Sequence, residues 1–264
     1  MKRYIYMILV AALALMASAC EKESAGVTSQ TNYFVLNGAR TMFLSIGEEY
    51  VEPGYTPYEG ASPVEVVITD AAGDVVSEVS TESAGFYTIT YSNTSKEGFY
   101  LEQTRTVYVY DSSVEASLAG TFTVDCDATL YNGDTFTDYA AYYKGLDNAQ
   151  SPYVTDEITI SFSTVAGNIY SISDYFAGWY TSIRGRGGYY ANAYGASYAT
   201  YFDMTGYIIL NADMTLSMLS SKVRAWGDGL DYLQNGVFDP ETGKLSYDIS
   251  YAGSILISPV MYKD

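Results

Sequence analysis

The 264-residue chain contains no histidine and only two cysteines, Cys20 and Cys126. Without imidazole there is no Ser-His-Asp triad, no Cys-His pair and no histidine-bound zinc, so catalysis would fall to carboxylates, tyrosines, lysines or arginines. A phosphate loop is missing too. The stretch Gly185-Arg186-Gly187-Gly188 lacks the Lys-Ser/Thr ending and no helical pattern follows it. Basic residues are scarce, 13 against 31 acidic ones for a net charge of −18, and such a surface repels phosphate backbones. Nucleic acid is therefore excluded as a partner. No apolar run is long enough to span a bilayer comfortably: the most apolar stretch, Ile5 to Met16, is too short.

That stretch follows Met1-Lys2-Arg3 and ends in Ala17-Ser18-Ala19-Cys20, the charged start, apolar middle and small residues of a secretory signal. With a cysteine at the cut, it resembles the lipobox of bacterial lipoproteins, although Ala17 stands where that motif usually has Leu. The resemblance implies removal of residues 1–19, lipidation of Cys20 and attachment to a membrane by acyl chains, each buried methylene contributing about 0.8 kcal/mol. Residues 20–32 then read as a flexible tether. Its acidic start, Glu21-Lys22-Glu23, resembles the export signal that carries lipoproteins of gut Bacteroidota to the outer face of the outer membrane. The expected location is thus the outer membrane, lipid-anchored and facing outward.

Loss of the leader takes Lys2 and Arg3 with it and leaves 11 basic against 31 acidic side chains, a balance of −20. The acidity is spread evenly, so neither half is a charged tail. Cys126 is the one cysteine left in the mature chain, which rules out an internal disulfide and requires apolar cores. The length suffices for two.

Nearly every segment shows strand chemistry, and helical spacing is scarce. Val64 to Ile68, Phe86 to Tyr91 and Thr104 to Tyr110 are short, β-branched or aromatic, and bounded by turn formers. Asp70-Ala71-Ala72-Gly73-Asp74 reads as a hairpin loop. The fold class is therefore all-β.

Leu36-Asn37-Gly38, then Gly47 to Tyr55, then Gly85 to Tyr91, and finally Arg105 to Asp111 resemble the bacterial Ig-like domains of Bacteroidota surface lipoproteins, over residues 33–111 as a whole. The resemblance implies a seven-stranded sandwich serving as spacer or adhesion module. Gly85-x-Tyr87-x-Ile89 is similar to the tyrosine corner of Ig-type sandwiches, which implies a Tyr87 hydroxyl turned back to the main chain.

Residues 112–117 read as a linker, with few apolar neighbours. A second domain, residues 118–264, contains runs at Gly120 to Val124, Glu157 to Phe162, Asn168 to Ile172, Thr205 to Leu210, Thr215 to Leu219, Gly236 to Phe238, Lys244 to Ser250 and Ser254 to Val260, with a turn at Asp239 to Lys244. They predict an antiparallel meander, closed as a barrel or folded as a sandwich. Gly120-x-Phe122, Asn211-Ala212-Asp213, Trp226-Gly227-Asp228 and Phe238-Asp239-Pro240 together resemble the lipocalin-like C-terminal domains attached to such Ig modules.

Function is expected between Ala177 and Gly206, where Trp179, Tyr180, Tyr189, Tyr190, Tyr194, Tyr198 and Tyr201 lie among six glycines. Flat rings on a tightly turning backbone suit sugar recognition, in which ring C–H faces lie on aromatic planes while amides and carboxylates take the hydroxyls. Asn192, Asp174, Arg184 and Arg186 supply the polar half, and Trp226 with Asp228 and Asp231 a second wall. The competing reading is packing: with 29 tyrosines in the chain, most rings serve cross-strand contacts. Asp125 with Asp127, or Asp228 with Asp231, are the carboxylate pairs that a glycosidase would need. The Asp228 to Asp231 loop also has oxygens for Ca²⁺ but lacks the spaced acids of an EF-hand.

These features point to a non-catalytic, glycan-binding surface lipoprotein with no cofactor and no bound metal. Its expected partners are the membrane, a polysaccharide or oligosaccharide, and an outer-membrane uptake complex. The alternatives are a structural or adhesive surface protein without a small ligand, and a carboxylate-dependent glycosidase.

Overall fold

Alternation of apolar and polar side chains builds the first sheets. In this computed structural model the described residues are 34–58, 62–94, 98–145, 157–184 and 202–264; Cys20 and the residues expected to form the leader and tether lie outside them. Strands β1 (Phe34–Leu36) and β3 (Tyr55–Pro57) form a two-stranded sheet. β2 (Thr41–Ser45), β4 (Glu65–Asp70), β5 (Val75–Val76), β6 (Gly85–Thr94) and β7 (Tyr100–Tyr110) form a five-stranded one in the order β2-β7-β6-β4-β5, with β2 parallel to β7. Seven strands in two sheets enclose Phe34, Leu36, Leu44, Ile89, Tyr91 and Val107. The hairpin loop at Asp70 to Asp74 forms as expected, with the Asp70 carboxylate accepting the Ala72 and Asp74 N–H groups.

The buried tyrosine tied into the core of this domain is Tyr91 rather than Tyr87. The hydroxyl of Tyr91, two positions beyond Ile89 on the same face, donates to Glu52 at 2.5 Å. The fully buried Arg105 forms an ion pair with Glu52 and also donates to the carbonyls of Ala39 and Asn37. A buried guanidinium needs that many acceptors, because an unpaired charge in an apolar core is very costly. The network joins β6 and β7 to the loops around β1 and β3, a function that a disulfide performs in other sandwiches.

Beyond Tyr110 the backbone does not hang free. The Asp111 N–H donates to Asn168 Oδ1 at 2.8 Å, and Asn168 Nδ2 in turn donates to the Leu210 carbonyl at 2.9 Å. Val114 and Ala116 pack against the second core, and Phe86 meets Tyr207 edge to face at 5.5 Å. The bare linker expected at residues 112–117 is thus laid along the second domain.

That domain starts with β8 (Gly120–Val124), β9 (Leu130–Tyr131), β10 (Asp134–Thr135) and a helix, α1 (Phe136–Gly145). The sheet then continues through β11 (Thr159–Ala166), β12 (Ile169–Ile172), β13 (Met204–Leu210), β14 (Leu216–Val223), β15 (Tyr232–Asp239), β16 (Lys244–Tyr251), β17 (Ile255–Ser258) and β18 (Val260–Lys263). All pairings here are antiparallel. If β8 and β9 are counted as one interrupted strand, and β17 and β18 as another broken at Pro259, the order follows the chain and the last strand returns to the first. At the β14–β15 seam the pairing thins to one bridge, Thr215 with Val237, beside the Phe238 N–H to Met214 carbonyl bond. The sheet is therefore a meander rolled on its core and only lightly joined along that seam.

The helix falls in a stretch where the sequence reading placed no element. Its start is capped: the Asp138 N–H donates to Thr135 Oγ1 at 3.0 Å, and the Thr135 hydroxyl donates back to the Asp138 carboxylate at 2.8 Å. Phe136, fully buried, and Tyr139 and Tyr143 pack it onto the core.

Candidate functional site

The two tryptophans part company. Trp179 opens a π-helical turn, Trp179–Ile183, that begins after Gly178 at φ 82°, a left-handed conformation that favours glycine. Its ring is 1% exposed, stacked on Tyr131 at 3.8 Å and meeting Tyr139 edge-on at 4.8 Å and Phe136 at 5.5 Å. No ligand can lie on a ring enclosed in that way. The expectation that Trp179 binds is corrected: it is core, held by α1. Its Nε1 has no hydrogen-bond partner among the described residues.

Tyr180, next in the chain, is 4% exposed and equally unable to offer a face, so it too is corrected to core. It nevertheless reaches the site from below. Its ring meets Trp226 edge-on at 5.7 Å, and the Arg184 guanidinium lies 5.6 Å from its centre.

Trp226 is 48% exposed, the one tryptophan that reaches solvent. It rides on a tight turn after β14 in which the Val223 carbonyl accepts the Trp226 and Gly227 N–H groups, and the Val223 N–H donates to the Asp228 carbonyl at 2.8 Å. Gly227 at φ 81° permits that turn. Below the indole lies Tyr251, stacked at 5.5 Å with 27° between the planes, and Phe202 abuts its edge at 5.4 Å. Three aromatic neighbours thus fix the ring's orientation and leave about half of its surface to solvent.

Asp228 stands beside this ring. Both its oxygens lie near the Tyr251 hydroxyl, which donates to them at 3.1 and 3.2 Å. Asp231 Oδ2 accepts from the Ser250 hydroxyl at 3.1 Å and the Gly253 N–H at 2.9 Å. The Tyr251 phenol is held above its ordinary range, first by burial, then by its bond to Asp228 and the charges of Asp228 and Asp231. Trp226, Asp228 and Asp231 are thus brought together against the end of β16 and the turn after it.

Asp174 is a different kind of residue. It is buried, and its carboxylate accepts the N–H groups of Phe176 at 2.8 Å, Gly178 at 3.0 Å and Met204 at 3.3 Å. It ties the residues that follow β12 to the first residue of β13, and its acceptors are taken up by the main chain. Burial pushes its pKa up to about 7; nearby Asp203 adds to the rise, while the three N–H donors oppose it.

Tyr189, Tyr190 and Asn192, with Arg186, Tyr194, Tyr198 and Tyr201, lie outside the described residues. Asp125 and Asp127 are turn residues after β8 rather than a catalytic pair: Asp125 accepts the N–H groups of Asp127 and Ala128, and Asp127 accepts the Thr137 hydroxyl. Among the described residues no three acidic or thiol side chains gather in a metal-binding cluster. Sequence reasoning missed Tyr251 and Phe202. The alternation Leu245, Tyr247, Ile249, Tyr251 along β16 was the available signal, since all four are buried on one face.

Residues 111–260 match the family model for the C-terminal domain of BT2262-like lipoproteins, a family of uncharacterised function. Residues 34–109 match a model described as bacterial surface protein, Ig-like domain. The crystal structure of the lipoprotein BT2262 from Bacteroides thetaiotaomicron is 26% identical over 87% of this chain and 98% of its own, with a TM-score of 0.40. No curated protein matches the chain.

Proposed function

The chain belongs to the BT2262-like family of lipoproteins, and from that premise we propose that it is a non-catalytic glycan-binding protein of the outer membrane. In this reading Cys20 carries the lipid, the protein faces outward, and the Ig-like domain holds the second domain away from the membrane. The observation that carries the binding role is the half-exposed Trp226, oriented by Tyr180, Phe202 and Tyr251 and flanked by Asp228. A pyranose presents C–H groups on one face and hydroxyls around its rim; an aromatic plane with adjacent carboxylate acceptors complements both. Because the ring is already fixed, little rotamer freedom is lost on binding.

The Ig-like domain acts here as a stalk coupled to its neighbour through Phe86–Tyr207 and Asp111–Asn168 rather than as a loose spacer. The test is retention of the mature protein in native gels cast with a panel of polysaccharides. Retention by at least one supports the reading. Free migration through all of them overturns it in favour of the structural or adhesive class.

A further inference from the structure

Resting on that reading of the Trp226 platform, we infer that Asp228 and Asp231 make it selective for uncharged pyranosides and exclude chains that carry uronate or sulfate groups.

The geometry supports this in three steps. The Trp226 ring and the Asp228 carboxylate are joined through one side chain: Tyr251 stacks on the indole and donates its hydroxyl to both Asp228 oxygens. A sugar seated on the ring therefore has the Asp228 carboxylate one side chain away, across Tyr251. Asp231 belongs to the same loop, and its charge reaches Tyr251 as well.

Among the described residues neither carboxylate has an ion-pair partner, and their hydrogen bonds leave acceptor capacity. A single Tyr251 proton serves Asp228, and the two donors to Asp231 both go to Oδ2. Free lone pairs on a carboxylate accept from neutral hydroxyls, with charge-assisted bonds stronger than neutral ones. Of the cations around this cluster, Arg184 lies across Tyr180 and Arg224 stands in the same turn as Trp226.

The surrounding field has the same sign. Within the Debye length, about 8 Å at physiological ionic strength, a ligand carboxylate or sulfate meets Asp228 and Asp231. Farther out, at low salt, it meets a mature chain with 31 acidic and 11 basic side chains. A repeating polyanion feels this at every residue of its chain, whereas a neutral glycan does not.

The experiment is affinity electrophoresis of the mature protein, its Asp228→Asn/Asp231→Asn variant and its Trp226→Ala variant, at 20 and 300 mM salt. The gels contain galactomannan, laminarin, xyloglucan, polygalacturonate or chondroitin sulfate. Asparagine keeps an oxygen to accept from Tyr251, Ser250 and Gly253, so the loop remains folded, which an unchanged melting temperature checks. The expected result is retention of the parent by a neutral polysaccharide, lost in Trp226→Ala, with at least tenfold weaker retention by both polyanions. The double variant should narrow that gap at 20 mM salt. Equal retention of the parent by neutral and anionic chains overturns the charge inference alone. An unchanged gap in the double variant overturns the roles of Asp228 and Asp231. Retention by none of the five overturns the platform reading and this inference with it.

Discussion

Replacing Asp174 by Asn should change the pH dependence of stability more than the stability itself. The carboxylate is buried, accepts three backbone N–H groups and has no cation beside it, which holds its pKa near 7 against an ordinary 3.8. The direction follows from proton uptake. A group whose folded pKa is raised contributes stability that is fully present below its unfolded pKa, and that contribution is lost as pH rises through the folded value. Between pH 5 and pH 8 the native state starts with nearly one more proton than the unfolded chain and ends with almost none extra. At about 1.4 kcal/mol per pH unit, the wild type should lose roughly 2 to 3 kcal/mol over that interval from this group alone. Asn cannot titrate. It keeps an acceptor for Phe176 and Met204 but turns an NH₂ toward the Gly178 N–H, a mismatch that costs about 1 to 3 kcal/mol at every pH. Urea unfolding of both proteins at pH 5, 6, 7 and 8 gives the difference, in which all other titrations cancel. The variant should be the weaker protein at pH 5 and close most of that gap by pH 8. A difference constant to within about 0.5 kcal/mol across the series would refute the argument, because it would mean that the carboxylate is not a buried, poorly compensated charge.

Glu52→Ala should destabilise the Ig-like domain by about 3 to 5 kcal/mol, since it strands the fully buried Arg105; a thermal melt that resolves the two domains checks this. Limited proteolysis should find residues 112–117 slow to cut, given the Asp111–Asn168 bond and the packing of Val114 and Ala116; Asn168→Ala should speed that cut severalfold, and an early cut in the wild type would contradict the docked linker. Cys20→Ala should move the protein from the membrane to the soluble fraction, because acylation needs that thiol; unchanged fractionation would remove the lipid anchor from the account.

Strands were readable wherever one face is buried, as in β6, whose Ile89 and Tyr91 alternate with partly exposed residues, and in β16. Period two leaves a mark in composition that survives without knowledge of partners. The helix α1 was not read, because its tyrosine-rich stretch has no clear apolar stripe. The Thr135 and Asp138 pair at its start was the overlooked sign. Trp179 and Trp226 illustrate a deeper limit. Both adjoin glycine and polar residues, so local sequence cannot separate them. What separates them is distant in the chain: Tyr131 and α1 cover Trp179, and nothing comparable among the described residues covers Trp226. The same holds for Tyr87 and Tyr91, which share a face of β6. Glu52 and Arg105, from elsewhere in the fold, select Tyr91.

The central claim, that Trp226 is a binding surface and Trp179 a core residue, is tested most directly by measuring polysaccharide retention and thermal unfolding on Trp226→Ala and Trp179→Ala together. Trp226→Ala should weaken retention by about 1 to 3 kcal/mol, roughly 5- to 150-fold, with a modest change in melting temperature. Trp179→Ala should instead cost about 3 to 5 kcal/mol of stability, the cavity cost of a buried ring. Retention unchanged in Trp226→Ala while the parent protein binds polysaccharide would contradict the account.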